Sequence, residues 1–522
     1  MKRKEFIKNS LLSSLAIPLT GNYGFKALGA YNALLNAINY PVIENDNVLV
    51  IVQLQGGNDG LNTVIPFENF SNYVNARKNI YIQEDKALTL SGTHNIGLNP
   101  ALKGFQSLFN EGKLAIIQSV GYPQPNFSHF RATDIWMTGS DSDVVLETGW
   151  AGRYLDYQYP NFPISYPNAS MPDPLAIQIG SITSLTLQGP SVSLGVSISS
   201  ATNFYNLIND TTDPAPNTPA GKELTFIRQI NQQTQSYSTR IKNAASNVAT
   251  QVNYPSNSLA DQLKIVARLI KGGLKTKVYM VSYGSFDTHA NQVNSNDTSV
   301  GTHANLLKNI SDSIKAFQDD LNFLGVADRV VGMTFSEFGR RILSNASGGT
   351  DHGAAAPCFI FGNKTIGSIL GQTPFIPSSI TVNDNLPYQY DFRSIYASLL
   401  VDWLCVDSNA VNQILLKNFQ QLPLVNTSTC KISLPVTNAN NLINNYPNPF
   451  NAFTNITYKS NGGHCMLQVL SGDGKVVATL IDAQIDNGFY TVQFKAGNIP
   501  AGLYYIRFQN GTNTAIRPIL KF

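Results

Sequence analysis

The chain has 522 residues, a formal net charge of +3, 43% hydrophobic residues and 13% charged residues. The near-balanced charge leaves no electrostatic footprint for nucleic acid or an acidic tail partner, and the apolar share excludes global disorder. Charged residues stand at about half the roughly 25% of an ordinary globular domain. Asn, Ser, Thr, Gly and Tyr replace them, giving a neutral hydrogen-bonding surface suited to an exported protein.

Residues 1–30 read as an export signal. Lys2, Arg3 and Lys4 make a basic start, Leu11 to Leu19 is a short apolar run, and Ala27, Gly29 and Ala30 are small enough for a cleavage site. The opening resembles a twin-arginine leader in which lysine replaces one arginine, so the general and twin-arginine routes both stay open. No later run approaches ~18 uninterrupted apolar residues, so no transmembrane span is expected.

Five apolar runs follow: Asn47–Leu54, Lys113–Val120, Lys277–Ser282, Arg329–Phe335 and Pro357–Gly362. Such runs predict strands buried on both faces of a parallel sheet. Amphipathic stretches at 221–248, 258–272 and 302–325 predict helices between them. This alternation predicts a doubly wound α/β domain over 46–410, with its chemistry at the carboxyl ends of the strands. Asn, Thr, Pro and Ser dominate 411–445, which reads as a linker. From 446 to 522, short alternating strands with hairpin signals at Gly472-Asp-Gly474 and Asn510-Gly511 predict a small β-sandwich.

The four cysteines lack the spacing of a zinc knuckle. Cys405 and Cys430 are close enough to pair in an oxidising compartment; otherwise they read as buried thiols.

Five constellations could carry chemistry. In Gln55-Gly-Gly-Asn-Asp-Gly60, Asp59 stands at a strand end, as a metal carboxylate or an Asx-turn cap. In Asn126-Phe-Ser-His-Phe-Arg131, Ser128 falls at a helix start, as a nucleophile facing the dipole or a plain N-cap. Arg131, one turn on, could bind a substrate oxyanion. In Ser285-Phe-Asp-Thr-His289, Asp287 and His289 are two apart and can reach one metal from an extended segment. His303 begins the next predicted helix. In Thr334-Phe-Ser-Glu-Phe-Gly-Arg-Arg341, Glu337 is a candidate ligand or general base. Arg340 and Arg341 are candidate phosphate or sulfate anchors, or surface ion pairs. In Gly348-Gly-Thr-Asp-His-Gly353, a glycine-flanked loop presents Asp351 and His352. An oxygen and nitrogen donor set of this kind suits Zn, Mn or Mg.

Taken in order, Gly56-Gly-Asn-Asp-Gly60, Phe286-Asp-Thr-His289, Met333 to Arg341, Gly349-Thr-Asp-His-Gly353 and Asp391-Phe-Arg-Ser-Ile-Tyr396 resemble domain-of-unknown-function family 1501. That family is placed in the alkaline-phosphatase and sulfatase superfamily. The resemblance implies an α/β/α sandwich with one or two divalent metals. It implies Asp59, Asp351 and His352 as ligands, Ser128 as nucleophile, and Asp287 with His289 on the other metal. The phosphoglycerate mutases of that superfamily carry a further histidine ligand after the Asp-His-Gly motif. Here the next histidine is His464, in the terminal module, so a second metal would need His303 or Glu337.

Tyr446-Pro-Asn-Pro-Phe450, Gly472-x-Gly-Lys475 and Gly502-x-Tyr504 resemble the type A sorting domain of type IX secretion. This implies passage through the periplasm and delivery to the cell surface or medium by that machinery. The expected function is an exported metal-dependent hydrolase of phosphate or sulfate esters. The alternative is a non-catalytic, polymer-associated surface protein that keeps the fold.

Overall fold

The computed structural model describes residues 45–199, 237–246, 248–426, 430 and, with short gaps, 443–521. The expected export signal therefore lies outside the described residues, as does the predicted helix 221–248 apart from a helical stretch at 237–246. The described residues divide into two compact units, one up to Cys430 and one in the part of the chain after it.

The first unit is built on β1 (Val48–Leu54). Its seven residues are all buried, and alternate side chains serve opposite faces. Val48, Val50, Val52 and Leu54 join one core, while Leu49 and Ile51 join the other. A continuous apolar run is what a strand sandwiched between helix layers requires. A ribbon of β2 (Val64–Pro66) and β3 (Ile96–Leu98) lies outside the main sheet. The main sheet adds β4 (Leu114–Gly121), β5 (Ala176–Ile179), β6 (Gly195–Ile198), β7 (Val278–Tyr283) and β8 (Val330–Ser336). A second ribbon pairs β9 (Gly339–Ser344) with β10 (Thr350–Gly353). β11 (Ala356–Phe361), β12 (Ile369–Leu370) and β13 (Tyr390–Asp391) complete the main sheet.

The order is β12-β4-β11-β8-β1-β7-β5-β6, with β13 beside β4. β1 runs parallel to both β7 and β8. β11 runs antiparallel to β4 and β8, which corrects the all-parallel expectation. Only a short ribbon separates β8 from β11, and a parallel return needs a longer crossover.

Helices cover both faces. Ser258–Lys271 and Thr302–Phe323 pack on one side through Leu263, Val266, Ile310, Ile314 and Phe317. Their buried residues recur every three to four positions, as an amphipathic helix requires. His129–Thr138, Trp150–Gln158 and Phe392–Ser398 pack on the other side through Ile135, Trp150 and Ile395. The unit is thus an α/β/α sandwich.

Residues 411–426, read from composition as the start of a linker, are built into this unit. Val411, Ile414, Leu415, Leu422, Leu424 and Val425 are buried in its second core. Beyond them, Cys430 forms a disulfide with Cys405.

The second unit is an antiparallel sheet of β14 (Ile443–Tyr446), β15 (Phe453–Ser471), β16 (Val476–Lys495), β17 (Gly502–Asn510) and β18 (Asn513–Lys521). In place of the short strands expected there, β15 and β16 are long. Within β15, Gly462 and Gly463 take positive φ. Ile456 and Tyr458 before them share one core with Leu467 and Val469 after them. The Asn510-Gly511 signal joins β17 to β18, and the Gly472-Asp-Gly474 signal lies outside the described residues. Among the described residues, no helix is long and apolar enough to cross a membrane.

Candidate metal centre

Four segments following β1, β4, β7 and β8 meet at one rim of the sheet, where ligands bind in open α/β folds. Two glycines allow the approach. A Cβ on Gly56, whose φ is +118°, would lie 2.4 Å from the Asp287 amide nitrogen. A Cβ on Gly349 would lie 2.4 Å from the His289 carbonyl carbon. The loop expected at 348–353 is part of the β9–β10 ribbon, which sets His352 opposite Arg340.

Three imidazoles gather at this rim, each held through Nδ1 by an acceptor. His129 Nδ1 is 2.8 Å from Glu337 Oε1, His289 Nδ1 is 3.0 Å from Asp351 Oδ1, and His352 Nδ1 is 2.8 Å from the Phe127 carbonyl. An acceptor on Nδ1 fixes the tautomer and leaves the Nε2 lone pair as a donor to a metal. The three Nε2 atoms are turned toward the Asp287 carboxylate, at 3.5 Å for His129, 3.1 Å for His289 and 3.3 Å for His352. The Nε2 atoms of His289 and His352 face each other across 2.9 Å. Ligand atoms of His129, Asp287 and His352 all lie within 4.8 Å of one another. This set of imidazole nitrogens around a carboxylate fits a borderline divalent cation. The Phe338 ring packs beside two of the imidazoles, 4.9 Å from His129 and 4.5 Å from His352.

Electrostatics keep the donors in the required form. Burial alone would raise the Asp287 carboxyl, but the Arg340 hydrogen bond and charge outweigh it and hold the group below its ordinary range. Burial lowers His352, with the charge of Arg340 adding to it; the Phe127 and Asp287 hydrogen bonds only partly offset this, so the ring is neutral at pH 7. Asp351 is also lowered: the Asn345 and His289 hydrogen bonds overcome the effect of burial.

The other expected site residues fall elsewhere. Asp59 is not at the cluster. It is fully buried and ion-paired with Arg77 at 2.6 Å, and it also accepts a 2.6 Å hydrogen bond from Gln292. Its negative charge is already neutralised inside the protein. His303 is buried with Nε2 3.0 Å from Asn58 Oδ1, and burial pushes it down to about 4. Arg340 is no substrate anchor. Its guanidinium donates to the carbonyls of Gly56, Gly57, Phe286 and Thr350 and to Asp287. Arg131 donates to the carbonyls of Asp141, Ser142 and Val144, away from the cluster. The Arg341 guanidinium lies over the Phe127 ring at 5.1 Å. Asp351 stands behind His289 rather than among the converging Nε2 atoms. Glu337 likewise acts behind His129, and its Oε1 also accepts the Gly56 amide at 2.8 Å. Ser128 is the exposed N-cap of the helix His129–Thr138, and its side chain makes no capping bond.

Sequence reasoning passed over His129, although it sits in the motif that yielded Ser128 and Arg131. The available signal was its place in the first helical turn after a buried strand, in a chain with only six histidines.

The architecture and this rim define an α/β/α protein with a cluster of metal-capable side chains. Residues 46–389 match the family described as a protein of unknown function, DUF1501, and the chain belongs to that family. Residues 444–521 match the secretion system C-terminal sorting domain, a module that marks a chain for export. No curated protein matches the sequence. Among solved structures, similarity is found to a protein of the alkaline phosphatase superfamily from Vibrio parahaemolyticus at 10% identity and a TM-score of 0.32, covering 91% of this chain and 82% of that one. The PsFucS1 sulfatase from Pseudoalteromonas sp. is similar at 12% identity and a TM-score of 0.32, covering 90% and 87%. The C-terminal periplasmic domain of EcEptC from Escherichia coli, in complex with Zn, is similar at 10% identity and 0.32, covering 76% and 97%. At these levels the likenesses carry no chemical argument.

Proposed function

We propose that the protein is an exported, metal-dependent hydrolase of phosphate or sulfate esters, delivered to the cell surface or medium by the type IX machinery that reads its sorting domain. The observation that carries this reading is the convergence of His129, His289 and His352 on Asp287, each imidazole held through Nδ1. His129, Asp287 and His352 would hold one divalent cation, zinc by the chemistry of the donors, with His289 alongside. A cation bound there would polarise an ester oxygen and stabilise negative charge developing on it.

The chain's own groups supply the rest. Glu337, Asp351 and the Phe127 carbonyl keep the three rings in one tautomer and orientation. Arg340 holds Asp287 ionised and is itself spent on the backbone, so it does not reach for substrate. Ser128 offers a free hydroxyl at the start of the helix bearing His129, where the unpaired N–H groups of the first turn favour an anionic oxygen. It is the nucleophile in this reading.

The test is hydrolysis of an aryl phosphate and an aryl sulfate by the purified full chain, before and after chelation, with zinc or manganese restored. The reading expects turnover of at least one ester, lost on chelation and recovered with metal. Turnover insensitive to chelation, or none with metal bound, would overturn it; the second result would favour a surface protein that keeps the fold without the reaction.

A further inference from the structure

Beneath the imidazole cluster lies a fully buried side chain that no part of the proposed reaction uses. Gln292 is 0% exposed, and every polar atom of its amide is engaged. Oε1 accepts from the Thr288 hydroxyl at 3.1 Å and from the Thr350 hydroxyl at 2.9 Å. Nε2 donates to Asp59 Oδ2 at 2.6 Å. Asp59 is held in turn by Arg77, whose guanidinium also donates to the Ile342 and Arg341 carbonyls on β9.

Thr288 lies between Asp287 and His289. Thr350 immediately precedes Asp351 and His352. We propose that Gln292, anchored by the Asp59–Arg77 pair, is a positioning residue that clasps the Asp287–His289 turn to the strand carrying His352 and so sets the spacing of the metal-binding side chains. The proposal rests on the reading of the cluster as a metal centre, and it gives Asp59 a role as anchor in place of ligand.

The chemistry fixes the clasp in one orientation. An ionised carboxylate can only accept, so Asp59 must receive the Gln292 amide N–H; the amide oxygen is then left with two lone pairs, one for each threonine. The two segments also meet directly, because the Thr350 amide donates to the Thr288 carbonyl at 3.2 Å. That backbone contact ties the two segments at a single point. The side-chain clasp adds restraint on both sides of it, in a buried setting where hydrogen bonds hold geometry firmly. Partners bonded directly to metal ligands commonly govern affinity by about 10–100-fold, and the clasp acts on the segments that carry those ligands.

The test uses the full chain and three variants: Q292M, which keeps the volume; T350V, which removes one hydroxyl; and T350S, which retains it. Zinc affinity is measured by chelator competition, thermal unfolding is followed on the metal-free proteins, and crystal structures are determined for wild type and Q292M. The clasp predicts zinc binding weakened about 10–100-fold in Q292M and T350V, and near wild-type binding in T350S. It also predicts a changed His289–His352 separation in Q292M. Zinc affinity within about twofold of wild type in both Q292M and T350V, with only the unfolding temperature lowered, would overturn it. If wild type itself binds no zinc, the metal reading fails separately. The crystal comparison then decides the clasp, and an unchanged His289–His352 separation in Q292M overturns it.

Discussion

The imidazole of His129 and the carboxylate of Glu337 meet at 2.8 Å through Nδ1 and Oε1, and the same oxygen receives the amide of Gly56. One buried carboxylate therefore orients a ring from the segment after β4 and secures the turn after β1. Replacing Glu337 by glutamine keeps an oxygen for both donors but removes the negative charge behind the ring. Glu337→Gln is expected to lower zinc affinity about 10-fold or more, with fold stability little changed. Chelator competition paired with chemical denaturation checks both halves.

Ser128 makes no capping bond and stands one residue before His129. If its hydroxyl attacks the ester, Ser128→Ala loses about 100-fold or more in turnover, the scale of losing a group that acts in the transition state, while metal content stays at the wild-type level. Turnover near wild type in that variant would assign the attack to water.

His303 is buried, pushed down to about 4, and its Nδ1 has no hydrogen-bond partner among the described residues. Its unfolded value is near 6.5, so between those limits the unfolded chain binds the extra proton. Stability from this residue is complete above about pH 6.5 and is lost as pH falls toward 4, on the order of 3 kcal/mol in all. Denaturation of the first unit at pH 7 and pH 5 is expected to show this loss in wild type. The loss should be much reduced in His303→Gln, and an equal loss in both would remove His303 as its source.

Gly56 has a positive φ and lies against the backbone of Asp287. Alanine there meets both backbone strain and a clash, so Gly56→Ala is expected to destabilise the first unit by about 1–3 kcal/mol or more and to weaken metal binding by displacing Asp287. Ala substitution at Gly92, whose φ is also positive but whose surroundings are open, provides the control: strain without displacement, with metal binding retained.

The Cys405–Cys430 bond closes a loop with a sequence separation of 25, worth about 3 kcal/mol on chain-entropy grounds. Cys358 and Cys465 are free and buried. The purified, oxidised full-length chain, unfolded without reductant, is therefore expected to expose two reactive thiols. Four would mean that the bond does not form.

Much of the fold was legible because buried strands announce themselves as apolar runs; β1 and β8 needed little more. The direction of β11 was not legible, since a strand buried on both faces has no pattern that distinguishes parallel from antiparallel neighbours. Asp287 and His289 were legible because a position just after a predicted strand constrains where a side chain can be, and His352 because it forms an Asp-His pair in a glycine-flanked stretch. The place of Asp59 was not: its partner Arg77 lies 18 residues away with no motif joining them, and an aspartate at a strand end reads alike whether it binds a cation or an arginine. Arg340 was misread for a related reason, because sequence does not show that five acceptors inside the protein already claim its guanidinium.

The most direct measurement is the metal content of the purified full chain and of its Asp287→Ala variant, by elemental analysis at matched protein concentration. The account predicts about one equivalent of a divalent metal in wild type, with zinc foremost, and little in the variant, with the variant still folded by circular dichroism. Equal metal in the two proteins, or none in wild type after zinc is supplied, would contradict it.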